Sequence, residues 1–267
     1  MNRFFPQLHS GALVQFPVRK RMYERSIRNG LLDGSTVKKL DENASVTEWD
    51  LHYAGLTDGE RAGIETLFTE CGGRLESFLF LDPTDNLLRW SEDLEQTVWE
   101  KNPLLAASNS APDPFHGTRG LRIENRATIA QGLSQTLNVP PALVYSFGAM
   151  LRSDTNTQVR LAISSGAMSS VTYAVAGDRW QLAVVSERFA SGIEPVRFSI
   201  ELDGGHAIEL YGLQADAQPT ISGYRKTTSQ SGVYPITYFK DDVLEATATG
   251  INEHALDLRL TSRRGTL

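Results

Sequence analysis

Between Thr47 and Pro83 the spacing of apolar residues changes period twice. Trp49, Leu51 and Tyr53 alternate with Glu48, Asp50 and His52, the period-two pattern of a strand with one buried face. Thr57 and Glu60 then form a T-x-x-E capping box, in which hydroxyl and carboxylate satisfy the orphan amides of a helix start. Ile64, Leu67, Phe68 and Cys71 follow at helical spacing as one apolar stripe. Gly72 and Gly73 supply the left-handed residue that ends helices. Leu75, Phe78 and Phe80 predict a second strand running into the turn-rich Asp82-Pro83-Thr84-Asp85-Asn86.

Upstream, 12–18 and 22–29 read as strands separated by the cluster Arg19-Lys20-Arg21, with a turn at Gly30–Gly34 and a third strand over 35–40. Downstream of Asn86 the composition changes. Residues 87–102 carry Trp90 and Trp99, and a Pro/Ser/Asn/Gly-rich run extends to Gly120. Short strand patterns then cover 121–124, 129–139, 143–151, 158–164, 170–176, 180–185, 196–202 and 207–213 with no helical period, the grammar of a β-sandwich or jelly roll. Residues 233–240 and 243–249 form a hairpin across Asp241-Asp242, and 255–261 alternates again. Neither terminal part holds a comfortable core by itself. The expected layout is therefore one discontinuous domain, 1–86 plus 224–267, with 87–223 inserted at a surface turn. Closing a long loop adds only ~0.6 kcal/mol per doubling of length.

At 267 residues and 40% hydrophobic the chain has material for one large or two ordinary domains. A net charge of −6 argues against a protein that neutralises phosphates over a wide surface. Arg19-Lys20-Arg21, joined by Arg25 and Arg28, offers either an acidic-partner site or a solvated strand edge whose charges block edge pairing. The lone cysteine, Cys71, permits no internal disulfide and is expected in the core, consistent with folding in a reducing cytoplasm. No apolar run reaches the 18 or so residues of a membrane span, and MNRFFPQLHSGALVQF lacks the apolar core of a secretory signal.

The search for chemistry gives no catalytic constellation. His9, His52, His116, His206 and His254 are scattered without metal-ligand spacing, and there is no G-x-S-x-G or phosphate-cradling loop. Glu92 and Asp93 are adjacent acids, read as turn-start residues. Structural calcium in the jelly roll would draw oxygens from Asp203-Gly204-Gly205 or Asp113, although turn chemistry accounts for the same residues. No enzyme and no metal centre is expected. Among the aromatics of 87–223 (Trp90, Trp99, Tyr145, Tyr173, Trp180 and Tyr211), Trp180, Tyr173 and Tyr211 are the candidates for stacking on a sugar, with core packing as the alternative. Trp180, beside the Gly177-Asp178 turn, leads that list.

The pattern W-D-L-x-Y-x-x-L-T-x-x-E-x-x-x-I-x-x-L-F from Trp49 to Phe68 resembles the distal tail protein family of long-tailed phages and gene transfer agents. G-x-x-x-x-F-x-F-x-D-P from Gly73 to Pro83 and the closing Tyr238-Phe239-Lys240-Asp241-Asp242 extend the likeness. The resemblance implies an all-β fold with one helix: a split β-barrel, here interrupted by a jelly roll. It implies a homo-oligomer, a hexameric ring at the tail tip of a virion, joining the tail tube protein to the tail-tip hub protein. DNA would pass through the lumen without specific binding, and Met1–Phe16 would serve as an inter-subunit arm. Asn86-Leu87-Leu88, Trp90-Ser91-Glu92-Asp93-Leu94 and Trp99-x-Lys101 resemble the opening of jelly-roll, carbohydrate-binding-module-like domains of phage tail and fibre proteins. Leu210-Tyr211-Gly212-Leu213-Gln214, Tyr224 and Thr227-Thr228 resemble their exit, with Ala215 replacing an acid often found there. Such a module implies host glycans as partners. The alternative reading is an adhesin in which the jelly roll is the working part.

Overall fold

The computed structural model describes residues 3–41, 44–189 and 194–264. By contacts the chain divides into two compact units: Met1–His9, Leu13–Phe80 and Tyr234–Leu267 form unit 1, and Ser10–Ala12 with Leu81–Val233 form unit 2.

Unit 1 contains β1 (Arg19–Tyr23), β2 (Ser26–Gly30), β3 (Thr36–Leu40), β4 (Ser45–Leu56), α1 (Asp58–Glu70) and β5 (Phe78–Leu81), and unit 2 then intervenes in the chain. Unit 2 contains β6 (Glu100–Lys101), β7 (Leu105–Ala111), β8 (Gly120–Asn125), β9 (Gln131–Leu137) and β10 (Val144–Arg152). It continues with β11 (Thr157–Ser165), β12 (Met168–Ala176), β13 (Gln181–Arg188), β14 (Val196–Leu202) and β15 (Ala207–Asp216). The chain returns to unit 1 as β16 (Val233–Phe239), β17 (Glu245–Gly250) and β18 (Glu253–Arg264).

The main sheet of unit 1 runs β1-β4-β18-β16-β5, with β17 pairing β18 and a separate hairpin β2–β3. Alternation on β4 buries Trp49, Leu51 and Tyr53 as the pattern predicts, and Leu256, Leu258 and Leu260 join them from β18. Trp49 meets Phe80 and Tyr234 edge-on at 5.0 and 4.7 Å. Among the described residues the strand path does not close on itself, and what stands is an all-β unit with one helix.

The helix forms where its cap signals lie. Glu60 N donates to Thr57 Oγ1 at 3.3 Å and Thr57 N donates to Glu60 Oε2 at 2.9 Å. Ile64, Leu67 and Cys71 are buried, and burial pushes the Cys71 thiol up from its ordinary pKa. Gly72 and Gly73 take φ +60° and +68°, and a side chain at Gly73 would meet Asp242 Oδ1 at 2.9 Å.

Three N-terminal expectations need correction. The first strand is the basic cluster itself, Arg19–Tyr23, not residues 12–18. As the edge strand of its sheet it carries charge without cost, and Arg21 donates to Asp50 at 2.7 Å. The stretch 22–29 is broken at Glu24–Arg25 between β1 and β2. Of Met1–Phe16, Met1 and Asn2 lie outside the described residues; the rest is no free arm, since Phe5, Leu8, Leu13 and Val14 are buried. Phe5 N and Leu79 N pair with Leu79 O and Arg3 O, covering the β5 edge.

Unit 2 is a sandwich of two five-stranded antiparallel sheets, β13-β10-β15-β8-β7 and β12-β11-β14-β9-β6. Phe147 and Tyr145 from the first meet Phe198 from the second at 5.6 and 5.9 Å across the core. The expected strands from 121 to 213 appear with ends shifted by a few residues, and β6 and β7 are additional.

Candidate functional site

The opening and exit motifs of unit 2 meet each other. Asn86 is fully buried; its Nδ2 donates to Leu213 O (2.9 Å) and Arg225 O (3.2 Å), while its Oδ1 accepts from Leu88 N (3.0 Å) and Ala215 N (3.1 Å). Thr227 Oγ1 donates to Leu88 O at 2.6 Å, and Trp99 Nε1 donates to Trp90 O at 3.0 Å. Ala215 is buried, and its neighbour Asp216 accepts from Ser222 N and Oγ at 2.7 Å each. These motif residues therefore pin the unit's two ends rather than line a ligand site.

The three candidate rings fall in separate places. Tyr211, on β15, is only 7% exposed, with Phe115 and Tyr224 edge-on at 5.6 and 5.3 Å and the Arg119 guanidinium 5.9 Å from the ring. Beside it, Glu92 accepts from Arg119, from Lys226 Nζ at 2.7 Å and from Tyr224 OH at 3.2 Å. Burial works to raise the Glu92 pKa, but the hydrogen bonds from Arg119 and Lys226 prevail and hold its carboxyl below the usual range. Trp180, just before β13, is half-buried under the Arg152 guanidinium, 5.4 Å from its ring, and Arg152 Nε donates to Glu209 at 2.6 Å.

Tyr173 differs. It lies on the outer face of β12 and is 62% exposed. Its cross-strand partner is Arg160 on β11, and the partner of Arg160 on β14 is Glu201, to which Arg160 Nη1 donates. Next in the row is Gly132 on β9, where a Cβ would meet Glu201 Cγ at 2.6 Å. Asn102 closes the row by accepting from Gly132 N at 2.8 Å. Gln158, on β11, and Asp203, just past the end of β14, help to line a shallow cleft of about 330 Å³. The Glu201 pair raises the Arg160 pKa, so the cation is permanent. One aromatic face thus stands beside donors and acceptors fixed by sheet register, an arrangement suited to holding an uncharged polar ring without covalent chemistry.

The sequence singled out Tyr173 but missed Arg160, Glu201, Gln158 and Gly132. Each occupies an outward position of an alternating strand, and only the pairing of β9, β11 and β14, distant in sequence, brings them onto one face.

Among the described residues no group of three or more His, Cys, Asp or Glu side chains is arranged to hold a metal. Asp113 instead caps its own turn, accepting from Phe115, Gly117 and Arg119 N at 2.8, 2.9 and 3.1 Å. Gly204 packs against the backbone at Thr128, and Gly205 adopts φ +76°.

No family model and no curated protein matches the sequence. Among solved structures the chain is similar to the CBM22-1 xylan-binding domain of Paenibacillus barcinonensis Xyn10C, at 13% identity and a TM-score of 0.42, over 53% of this chain and 99% of that one. It is also similar to the enzymatically active domain of bacteriophage CBA120 tailspike protein 4 (11% identity, TM-score 0.40, 51% of this chain and 22% of that one). A third is TmCBM61 in complex with β-1,4-galactotriose (14% identity, TM-score 0.36, 49% and 94%).

Proposed function

We propose that unit 2 is a non-catalytic glycan-binding module whose working face is the row Tyr173, Arg160, Glu201 and Gly132. The observation that carries this is the exposed Tyr173 ring beside a register-fixed Arg160–Glu201 pair over a shallow cleft. The ring stacks on the apolar face of a sugar, and the ion pair with Gln158 and Asp203 bonds its hydroxyls. The tests are a glycan array and calorimetry on the full chain. The reading expects binding to at least one oligosaccharide class, reduced at least about tenfold, or ~1.4 kcal/mol, by Tyr173→Ala. Absence of binding across the array, or affinity unchanged in the variant, contradicts it.

The second reading concerns unit 1, taken as the part that assembles. Its strand–capped-helix–strand pattern from Trp49 to Pro83 supports a second reading, a distal tail ring of a phage-like particle, hexameric and set between tail tube and hub, with the module facing outward. Antibody labelling of purified particles, viewed by negative-stain microscopy, tests it. Label at one end of the tail tube supports the ring; label on cell surfaces, with no particle carrying it, leaves a free-standing adhesin.

A further inference from the structure

The segment 16–40, which runs from before β1 through the β2–β3 hairpin, leaves many of its apolar side chains in solvent. Of the eighteen large apolar side chains left exposed among the described residues, eight lie here: Phe16, Met22, Tyr23, Ile27, Leu31, Leu32, Val37 and Leu40. Every residue of β2 and β3 is exposed, and among the described residues the two strands pair only with each other. An isolated two-stranded hairpin is marginal in water, and one that leaves Ile27, Leu31, Leu32, Val37 and Leu40 in solvent forgoes the burial that would stabilise it. Seven of the chain's 26 basic residues and two of its 32 acidic ones fall in this segment, which carries +5 while the remainder of the chain carries −11.

The complementary surface is on the same chain. Among the described residues strand β17 is an edge strand with one neighbour, β18, and nearly all of it is exposed. Val243 and Ile251 stand exposed at its two ends. Residues 241–257 contain five acids (Asp241, Asp242, Glu245, Glu253 and Asp257) and no lysine or arginine, a charge of −5. Asp241, Asp242 and Asp257 already hold Arg259, Arg74 and His52, which leaves Glu245 and Glu253 as the carboxylates facing outward along this edge.

We propose that the β2–β3 hairpin of one copy docks along the β17 edge of a second copy. Its backbone extends the sheet, Arg28, Lys38 and Lys39 meet Glu245 and Glu253, and the exposed apolar residues of both surfaces cover one another. Arm and edge are different surfaces of one subunit, so the contact is head to tail and repeats into a ring or a filament. The inference rests on the reading that unit 1 is an assembling base, and it names the two surfaces that assemble.

The test is light scattering of the full chain after gel filtration, at low and high salt, across a range of concentrations. Wild type is expected as a multimer that dissociates in high salt. The arm variant Arg28→Glu/Lys38→Glu/Lys39→Glu and the edge variant Glu245→Lys/Glu253→Lys are each expected as monomers, and the chain carrying both sets regains the multimer by charge exchange. Circular dichroism confirms that each variant is folded. Wild type monomeric at every concentration overturns the inference and the assembling-base reading together. A wild-type multimer that both variants retain overturns these surfaces and leaves assembly by another route. An arm variant that stays multimeric but loses binding to a double-stranded DNA probe assigns the basic hairpin to phosphates and also overturns the inference.

Discussion

Arg160 and Glu201 face one another across β11 and β14, and the same arginine stands opposite Tyr173 on the other side. Both side chains of the pair are about one-third exposed, so solvent screens the attraction and its worth to folding is about 0–1 kcal/mol. Its role is to hold the guanidinium still beside the ring. Glu201→Gln is therefore expected to shift thermal unfolding by no more than a few degrees, while sugar affinity falls several-fold. Melting curves and calorimetric titration on the same samples separate the two. A large melting shift with unchanged affinity would make the pair structural.

Asn86 uses both of its amide hydrogens and its carbonyl oxygen, in full burial, on backbone groups from both ends of unit 2. Truncation orphans two carbonyls and two amides away from water. Asn86→Ala is expected to lower unfolding free energy by about 3 kcal/mol, measured by urea denaturation. A loss near zero would mean water replaces the side chain and the two ends of unit 2 are not pinned as described.

The partly buried Glu92 carboxylate, held by Arg119 and Lys226, ties stability to pH. Its folded pKa lies below its unfolded value, so the unfolded state binds the proton more readily. The contribution is fully present above the unfolded value of about 4.3 and is lost as pH falls through the lower folded pKa. Glu92→Gln should then be less stable than wild type at neutral pH, with the gap closing as the solution is acidified. Urea midpoints at a series of pH values check this; a gap that does not change with pH contradicts the linkage.

The sequence revealed those parts of the fold in which each residue's neighbours decide its state. Thr57 and Glu60 are three residues apart, and their reciprocal hydrogen bonds need nothing else to fix the helix start. The alternation in 143–151 and 196–202 announced strands because turn residues bounded each run. It misled where an edge relaxes the rule. Arg19-Lys20-Arg21 looked like a break, yet β1 is an outer strand whose charges reach Glu48, Asp50 and solvent. Strand β7 passed unnoticed because its Ala, Ser and Asn residues carry no strand preference, and pairing with β8 imposes the conformation. The candidate face was legible only as one ring. That Tyr173, Arg160 and Glu201 share a row follows from register between three strands, which no local pattern encodes.

The most direct test is one calorimetric titration series with the best oligosaccharide from the array, run on wild type, Tyr173→Ala, Trp180→Ala and Tyr211→Phe, with a melting curve for each protein. If the Tyr173 face is the binding site, Tyr173→Ala loses at least about tenfold in affinity with little change in melting, and the other two bind as wild type does. Binding lost in Trp180→Ala or Tyr211→Phe and kept in Tyr173→Ala would contradict the account and move the site to the opposite sheet.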